Sequence, residues 1–328
     1  MNERGTAVGV TLIAPARLHE PQFGALVHTV AVAALRTYVR VSRRALRGRG
    51  VGFACVAVAR LAARDGKVTF RLGSGGLFRV DPEDRYWVRP LLVDATYEPD
   101  LDWFLARGLR PYDHFVDCGA NSGVWSVAAS RVIDDRSRTV AVEAGTTAFA
   151  RLARNAAANP ERFTTLHSAL SDESGQIVEF FSDDSDTASA SLVQAIATKG
   201  AASENVITVT LTDLLPRAEH VAHKESLTFL KLDIEGMEET VIGSCPTAVF
   251  DDVIVMYEDH GRDLASATTA MLLERGFVVW LLLDDRGAVS ITDATQVRPH
   301  KTDPRKGYNL VAVRPASRGE ARVHATLG

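Results

Sequence analysis

Four carboxylates in this chain of 328 residues stand at the ends of apolar runs: Asp117, Glu143, Asp233 and Glu258. An apolar run that ends in an acid and then turns is how a buried strand delivers a charged group to the rim of a sheet. The first of these, Asp117-Cys118-Gly119-Ala120-Asn121-Ser122-Gly123, bears two glycines and runs into Val124–Val132, an apolar-periodic segment that reads as a helix. This is a strand-loop-helix ligand site. Gly119 would allow a close backbone approach that a side chain blocks, Ala120 lies beside it, and Asn121 or Ser122 could cap the helix.

The turn could hold a dinucleotide or a methyl donor. A dinucleotide site wants Gly-x-Gly-x-x-Gly with the pyrophosphate on the helix N-terminus, and the position two after Gly119 is Asn121. Asp117 would also repel a pyrophosphate. A carboxylate there suits the amino group and sulfonium of S-adenosylmethionine. Glu143 follows Gly119 by 24 residues, the place from which a carboxylate accepts both ribose hydroxyls. Ala144 stands next to it. The following strand leads to Ser171-Asp172, where a side chain could meet the adenine amino group.

Lys231-Leu-Asp-Ile-Glu-Gly-Met-Glu238 forms the second half of the site. Strand parity puts Lys231, Asp233 and Glu235 on one side, beside the methyl-transfer pocket. Glu235, Glu238 and Glu239 could equally be the acidic first turn of a helix. The neighbouring run ends in Tyr257-Glu258-Asp259-His260. An acceptor hydroxyl must lose its proton, and histidine is the side chain best tuned to take one near neutral pH, with Glu258 or Asp233 to orient it. A lone histidine is also a common structural residue. His260, Asp233 and Glu235 are the catalytic candidates. No ligand spacing demands a metal.

The elements that position these groups are regular from Tyr97 onward. Pro99–Leu109 reads as a helix with proline at its start. Apolar runs follow at 115–118, 139–142, 164–170, 227–232, 253–257, 277–283 and 309–313, with helical segments at 124–132, 147–158, 237–244 and 264–275. Strands alternating with helices imply a doubly wound, mostly parallel sheet. The polar stretch Ser182–Asn205 is either a loop near the site or a plain surface connection.

Before Tyr97 the pattern differs. Lys67–Leu72 and Leu77–Val80 flank the cluster Gly73–Gly76 and read as a β-hairpin; no Lys-Ser/Thr helix follows to make it a phosphate loop. Phe23, Val27, Val30, Ala34, Val41 and Ala45 recur at helical spacing, with Arg36, Arg40, Arg43, Arg44 and Arg47 opposite. No acid occurs between Glu20 and Asp65. Such a helix, residues 23–47, could pack on the domain with a solvated arginine face, or touch a membrane surface or acidic partner weakly. The expected division is an extension at 1–95, a catalytic domain at 96–316 and a tail at 317–328.

The order Asp117–Gly123, Val142-Glu143, Asn155, Ala169-Leu-Ser-Asp172, Lys231–Glu238 and Tyr257–His260 resembles the FkbM-type methyltransferase family. The resemblance covers roughly Tyr97 to Val313. It implies a class I Rossmann-like fold of seven strands with helices on both faces, S-adenosylmethionine as cofactor, and methyl transfer to a hydroxyl of a sugar, polyketide or other secondary metabolite. Ala144 departs from the family, which usually has proline there.

A net charge of −4 argues against a nucleic-acid binder, as does the lack of an Asn-Pro-Pro-Tyr-type segment. Cys55, Cys118 and Cys245 are too few and too scattered for a disulfide framework or a zinc set, which points to the cytoplasm. No apolar run reaches the ~18 residues of a membrane span. Methylation of nitrogen or of a macromolecule, and cofactor binding without catalysis, are the competing readings.

Overall fold

The computed structural model describes residues 11–19, 25–45, 50–182, 202–216, 223–234 and 236–328. The chain begins with strand β1 (Arg17–Leu18), helices α1 (Ala25–Ala45) and α2 (Val51–Ala62), the hairpin β2 (Val68–Arg71) and β3 (Leu77–Val80), and helix α3 (Arg85–Val93). β1, β2 and β3 form a small antiparallel sheet. The hairpin is where the glycine cluster puts it. Helices α2 and α3 were not expected.

Helix α1 does not sit as its periodicity suggests. Among its described side chains Leu35, Val39 and Ser42 are buried, while Val30, Ala34 and Val41 face solvent. Arg36, from the supposed solvated face, donates to the Leu92 carbonyl on α3 at 3.2 Å. The side chains of Phe23, Val27, Arg43, Arg44, Ala45 and Arg47 lie outside the described residues.

The larger unit follows with α4 (Pro99–Gly108), β4 (His114–Cys118), α5 (Val124–Ala129), β5 (Thr139–Glu143), α6 (Thr146–Ala158), β6 (Thr164–His167), β7 (Ala169–Leu170), β8 (Ile177–Ser182) and β9 (Ala202–Val209). It continues with α7 (Leu211–Leu214), β10 (Thr228–Leu232), α8 (Glu238–Gly243), β11 (Val253–His260), α9 (Ala267–Glu274), β12 (Val278–Leu282), β13 (Ala288–Ile291), β14 (Gly307–Val313) and α10 (Arg318–Leu327).

The main sheet has the order β13-β12-β14-β11-β10-β4-β5-β6. Strands β11, β10, β4, β5 and β6 are parallel, and β14 runs antiparallel between β11 and β12. This is the expected class I arrangement of seven strands, with β13 added as an eighth at one edge. Alternate residues of the strands enter two cores. Phe115, Phe229 and Ile254 pack with Leu101, Val127 and Val323 on one face. Val116, Leu230 and Val255 pack with Val241 and Leu272 on the other. Burial on both faces is why these strands read as unbroken apolar runs.

Two expectations need correction, and a third falls largely outside the described residues. The run 164–170 is two strands, because Ser168 donates its N–H to the Glu143 carbonyl and β7 then pairs with β9 in a separate small sheet. Nearly all of the Ser182–Asn205 stretch, residues 183–201, lies outside the described residues. The supposed tail is helix α10, capped by Ser317, which accepts from the Glu320 N–H, and tied to the body by Arg322–Asp113 at 3.0 Å.

Two asparagines join the hairpin to the larger unit. Asn155, fully buried on α6, accepts from the Arg79 N–H at 2.7 Å and donates to the Arg79 carbonyl at 3.2 Å and the Ser122 carbonyl at 2.8 Å. One turn on, Asn159 accepts from the Leu77 N–H at 3.0 Å and donates to the Leu77 carbonyl at 2.7 Å. The carboxamides thus pair the free edge of β3 as a neighbouring strand would.

Candidate active site

β4, β10 and β11 end side by side, with Lys231 paired to Asp117 and Met256, and Leu232 to Cys118 and Tyr257. Their ends open into a cavity of about 1210 Å³. That exceeds the few hundred to roughly 1,000 Å³ of an ordinary small-molecule pocket and leaves room for two molecules.

Asp117 is 1% exposed. Its Oδ2 accepts from the Ser126 N–H at 3.1 Å and the Ser126 hydroxyl at 2.5 Å. Its Oδ1 is buried on the cavity wall with no hydrogen-bond partner. Burial pushes the carboxyl up in pKa, and the Lys231 ammonium opposes that rise. A buried acceptor without a donor is costly, so this atom fits a cationic ligand group such as the amino group of S-adenosylmethionine.

The turn is built differently from the expectation. Gly119 has φ 74, and a Cβ there would lie 1.8 Å from the Asp233 carbonyl oxygen. The close approach is therefore to β10's own continuation. Gly123, at φ 81, is the N-cap of α5, where a Cβ would meet Leu152 at 2.4 Å. Neither Asn121 nor Ser122 caps the helix. Asn121 instead takes φ 51 and donates its N–H to Glu143 Oε2 at 2.8 Å.

Glu143, 7% exposed, also accepts from the Gly145 N–H through Oε1 at 2.8 Å. Burial raises its pKa, and these backbone donors oppose the shift. Each oxygen keeps lone-pair capacity for a further donor, and Ala144 lines the cavity beside it. Ser171 and Asp172 do not. Ser171 donates to Asp172 Oδ1 at 2.9 Å, Asp172 is exposed, and neither borders the cavity. The turn at Ser168 carries them away; Ser168, Ala169 and Leu170 form the wall instead.

In the second half, Lys231 is 5% exposed and donates to Asp233 Oδ2 at 3.0 Å. Burial alone would lower its pKa; Asp233, Asp117 and Glu98 more than offset this and hold it charged. His260 Nδ1 lies 3.3 Å from Glu258 Oε1, while the intervening Asp259 turns to the buried Lys301 ammonium at 2.6 Å. Burial raises the Glu258 pKa, Asp233 adds to the rise, and His260 opposes it. Asp233, Glu258 and His260 can each bring a ligand atom within 4.8 Å of the others, so this set could also hold a divalent ion. Glu235 lies outside the described residues. Glu238 is spoken for: its two oxygens accept from the Ile234 and Gly236 N–H groups, each at 2.9 Å.

Sequence reasoning missed Glu98. It precedes Pro99 at the start of α4 with φ 39, and its Oε2 accepts from Trp125 Nε1 at 3.1 Å. Burial pushes its pKa up to about 8, with Glu258, Asp233 and Asp100 adding and Lys231 opposing. Glutamate is a poor N-cap, and an acid at that position was the available clue. Tyr86, Trp87, Tyr97 and Trp125 form an aromatic wall beside it, and the Tyr86 and Tyr97 hydroxyls bond at 2.5 Å.

Residues 117–279 match the family model described as "Methyltransferase FkbM domain". The chain carries an FkbM methyltransferase domain. The FkbM match opens on Asp117 and spans every strand end described above. It makes the protein a methyltransferase dependent on S-adenosylmethionine. No curated protein matches the chain. Among solved structures, a precorrin-6y C5,15-methyltransferase from Geobacter metallireducens is similar at 14% identity and a TM-score of 0.35, over 64% of this chain and 84% of that one. Pyrococcus horikoshii TYW2 in complex with MeSAdo is similar at 12% identity and 0.38, over 92% of this chain and 90% of that one.

Proposed function

We propose that the protein methylates a hydroxyl group of a small molecule such as a sugar, polyketide or other secondary metabolite. The observation that carries this reading is the His260–Glu258 pair at 3.3 Å, at a strand end beside Asp233 in the same cavity as Asp117. S-adenosylmethionine supplies the electrophilic methyl. The protein's residues do the rest. Asp117 Oδ1 takes the donor's amino group and Glu143 its ribose hydroxyls. Ser168, Ala169 and Leu170 replace Ser171 and Asp172 as the adenine wall. Glu258 holds the His260 ring, and His260 removes the acceptor hydroxyl proton during or after attack. Asp233 orients the acceptor and is itself held by the Lys231 ammonium at 3.0 Å.

The aromatic wall and a cavity larger than an ordinary small-molecule pocket support an acceptor of small-molecule size beside the donor. Among the described residues no helix is long and apolar enough to cross a membrane, and the three cysteines are free thiols; we place the reaction in the cytoplasm. Calorimetry with S-adenosylmethionine, then turnover on a panel of hydroxylated small molecules, tests the reading. Cofactor binding with product carrying a new O-methyl group supports it. A new N-methyl group, or turnover on macromolecules alone, would overturn the acceptor assignment while leaving the methyltransferase intact.

A further inference from the structure

Helices α1 and α2 pack side by side, and each turns an apolar stripe to solvent. On α1 the stripe is Val30, Ala34 and Val41; on α2 it is Phe53, Ala57 and Leu61. Phe53 is 71% exposed, and Val30, Val41 and Leu61 are each above half. Five of the nine large hydrophobic residues exposed among the described residues belong to these two helices. Lone exposed apolar residues need no explanation, but stripes at helical spacing do.

Charge is also segregated along this span of the sequence. Eight of the 37 Lys and Arg residues, and none of the 41 Asp and Glu, fall within residues 21–64. The rest of the chain therefore holds 29 basic groups against 41 acidic ones. Arg40 and Arg60 are exposed on the two helices, Arg60 in an ion pair with Glu83 at 2.7 Å, and Arg85 lies over the Phe53 ring at 4.5 Å.

We infer that α1 and α2 form a docking face for an anionic lipid bilayer. An apolar stripe flanked by arginines is the composition that lies in a headgroup layer. The acidic body would be repelled by the same surface, so the field turns these helices toward it. Arg85 at this face belongs to α3, the helix that also supplies Tyr86 and Trp87 to the cavity wall. The inference does not depend on the acceptor assigned above.

Co-sedimentation of the full-length protein with vesicles tests it. Vesicles of phosphatidylcholine mixed with phosphatidylglycerol should retain the protein at low salt and release it at about 0.5 M salt; pure phosphatidylcholine should not retain it. The exposed double variant Phe53→Ser, Leu61→Ser should bind about tenfold more weakly, with unchanged circular dichroism and S-adenosylmethionine binding. Failure to bind the mixed vesicles, or equal binding by the double variant, would overturn the proposal. So would a solution dimer that the same substitutions dissolve, or retention on DNA in place of vesicles.

Discussion

Gly307 stands opposite His260 in the β11–β14 pairing, and the carboxyl group of Glu258 fills the space where a side chain on Gly307 would be. A Cβ at 307 would lie 1.6 Å from Glu258 Oε1. The overlapping atoms belong to a flexible side chain, and the glycine is outside the left-handed region. Gly307→Ala should therefore turn Glu258 away from His260 without unfolding the sheet. We expect kcat to fall at least about tenfold, with stability changed by less than about 1 kcal/mol and cofactor affinity unchanged. Steady-state kinetics beside a denaturant titration checks this.

Direct removal of the proposed base should be more severe. His260→Ala should lower kcat by roughly 10²- to 10⁴-fold, and Glu258→Gln by less, because the imidazole remains. Neither should alter S-adenosylmethionine affinity in calorimetry. A parallel loss of affinity would mean that the pair serves the donor and not the acceptor.

Asp117→Asn separates the two oxygens of that carboxyl. The amide oxygen can still accept from Ser126, while a donor replaces the unpaired Oδ1. S-adenosylmethionine affinity should drop roughly 10- to 100-fold, the worth of a charge-assisted hydrogen bond. The unliganded protein should melt no lower than wild type, since a costly buried carboxylate is gone.

The raised pKa of Glu98 has a pH signature. Its ordinary value is 4.5, and in the folded protein burial pushes it up to about 8. Between those values the folded state keeps a proton that the unfolded chain has released. The associated stability is complete below the unfolded value and is lost as pH rises through the folded one. Tm should fall between about pH 5 and about pH 8, and Glu98→Gln should flatten that slope. Thermal scans of both proteins across the range decide it.

Strand ends were legible because burial on both sheet faces leaves apolar runs that close on a carboxylate, as at Asp117, Glu143 and Asp233. Asp172 misled because its spacing suits an adenine contact while the chain leaves the main sheet at Ser168. Glu98 was hidden because its neighbours Trp125, Lys231 and Glu258 come from three distant segments. Helix α10 was readable in Ser317-x-x-Glu320, a capping pattern, but its short run passed for a tail. The orientation of α1 could not be read, since periodicity names an apolar face and not the surface it meets.

The pairing of Asn155 and Asn159 with β3 bears on how the chain can be cut. A boundary near residue 95 looks natural in the sequence, yet removing what precedes it would strip both carboxamides of their β3 partners and leave each only a carbonyl to donate to, Ser122 for Asn155 and Asn155 for Asn159. The same cut takes away Tyr86 and Trp87. Hairpin and catalytic unit are thus mutually completing halves, and a shortened protein would inherit the cofactor turn without the scaffold that braces it.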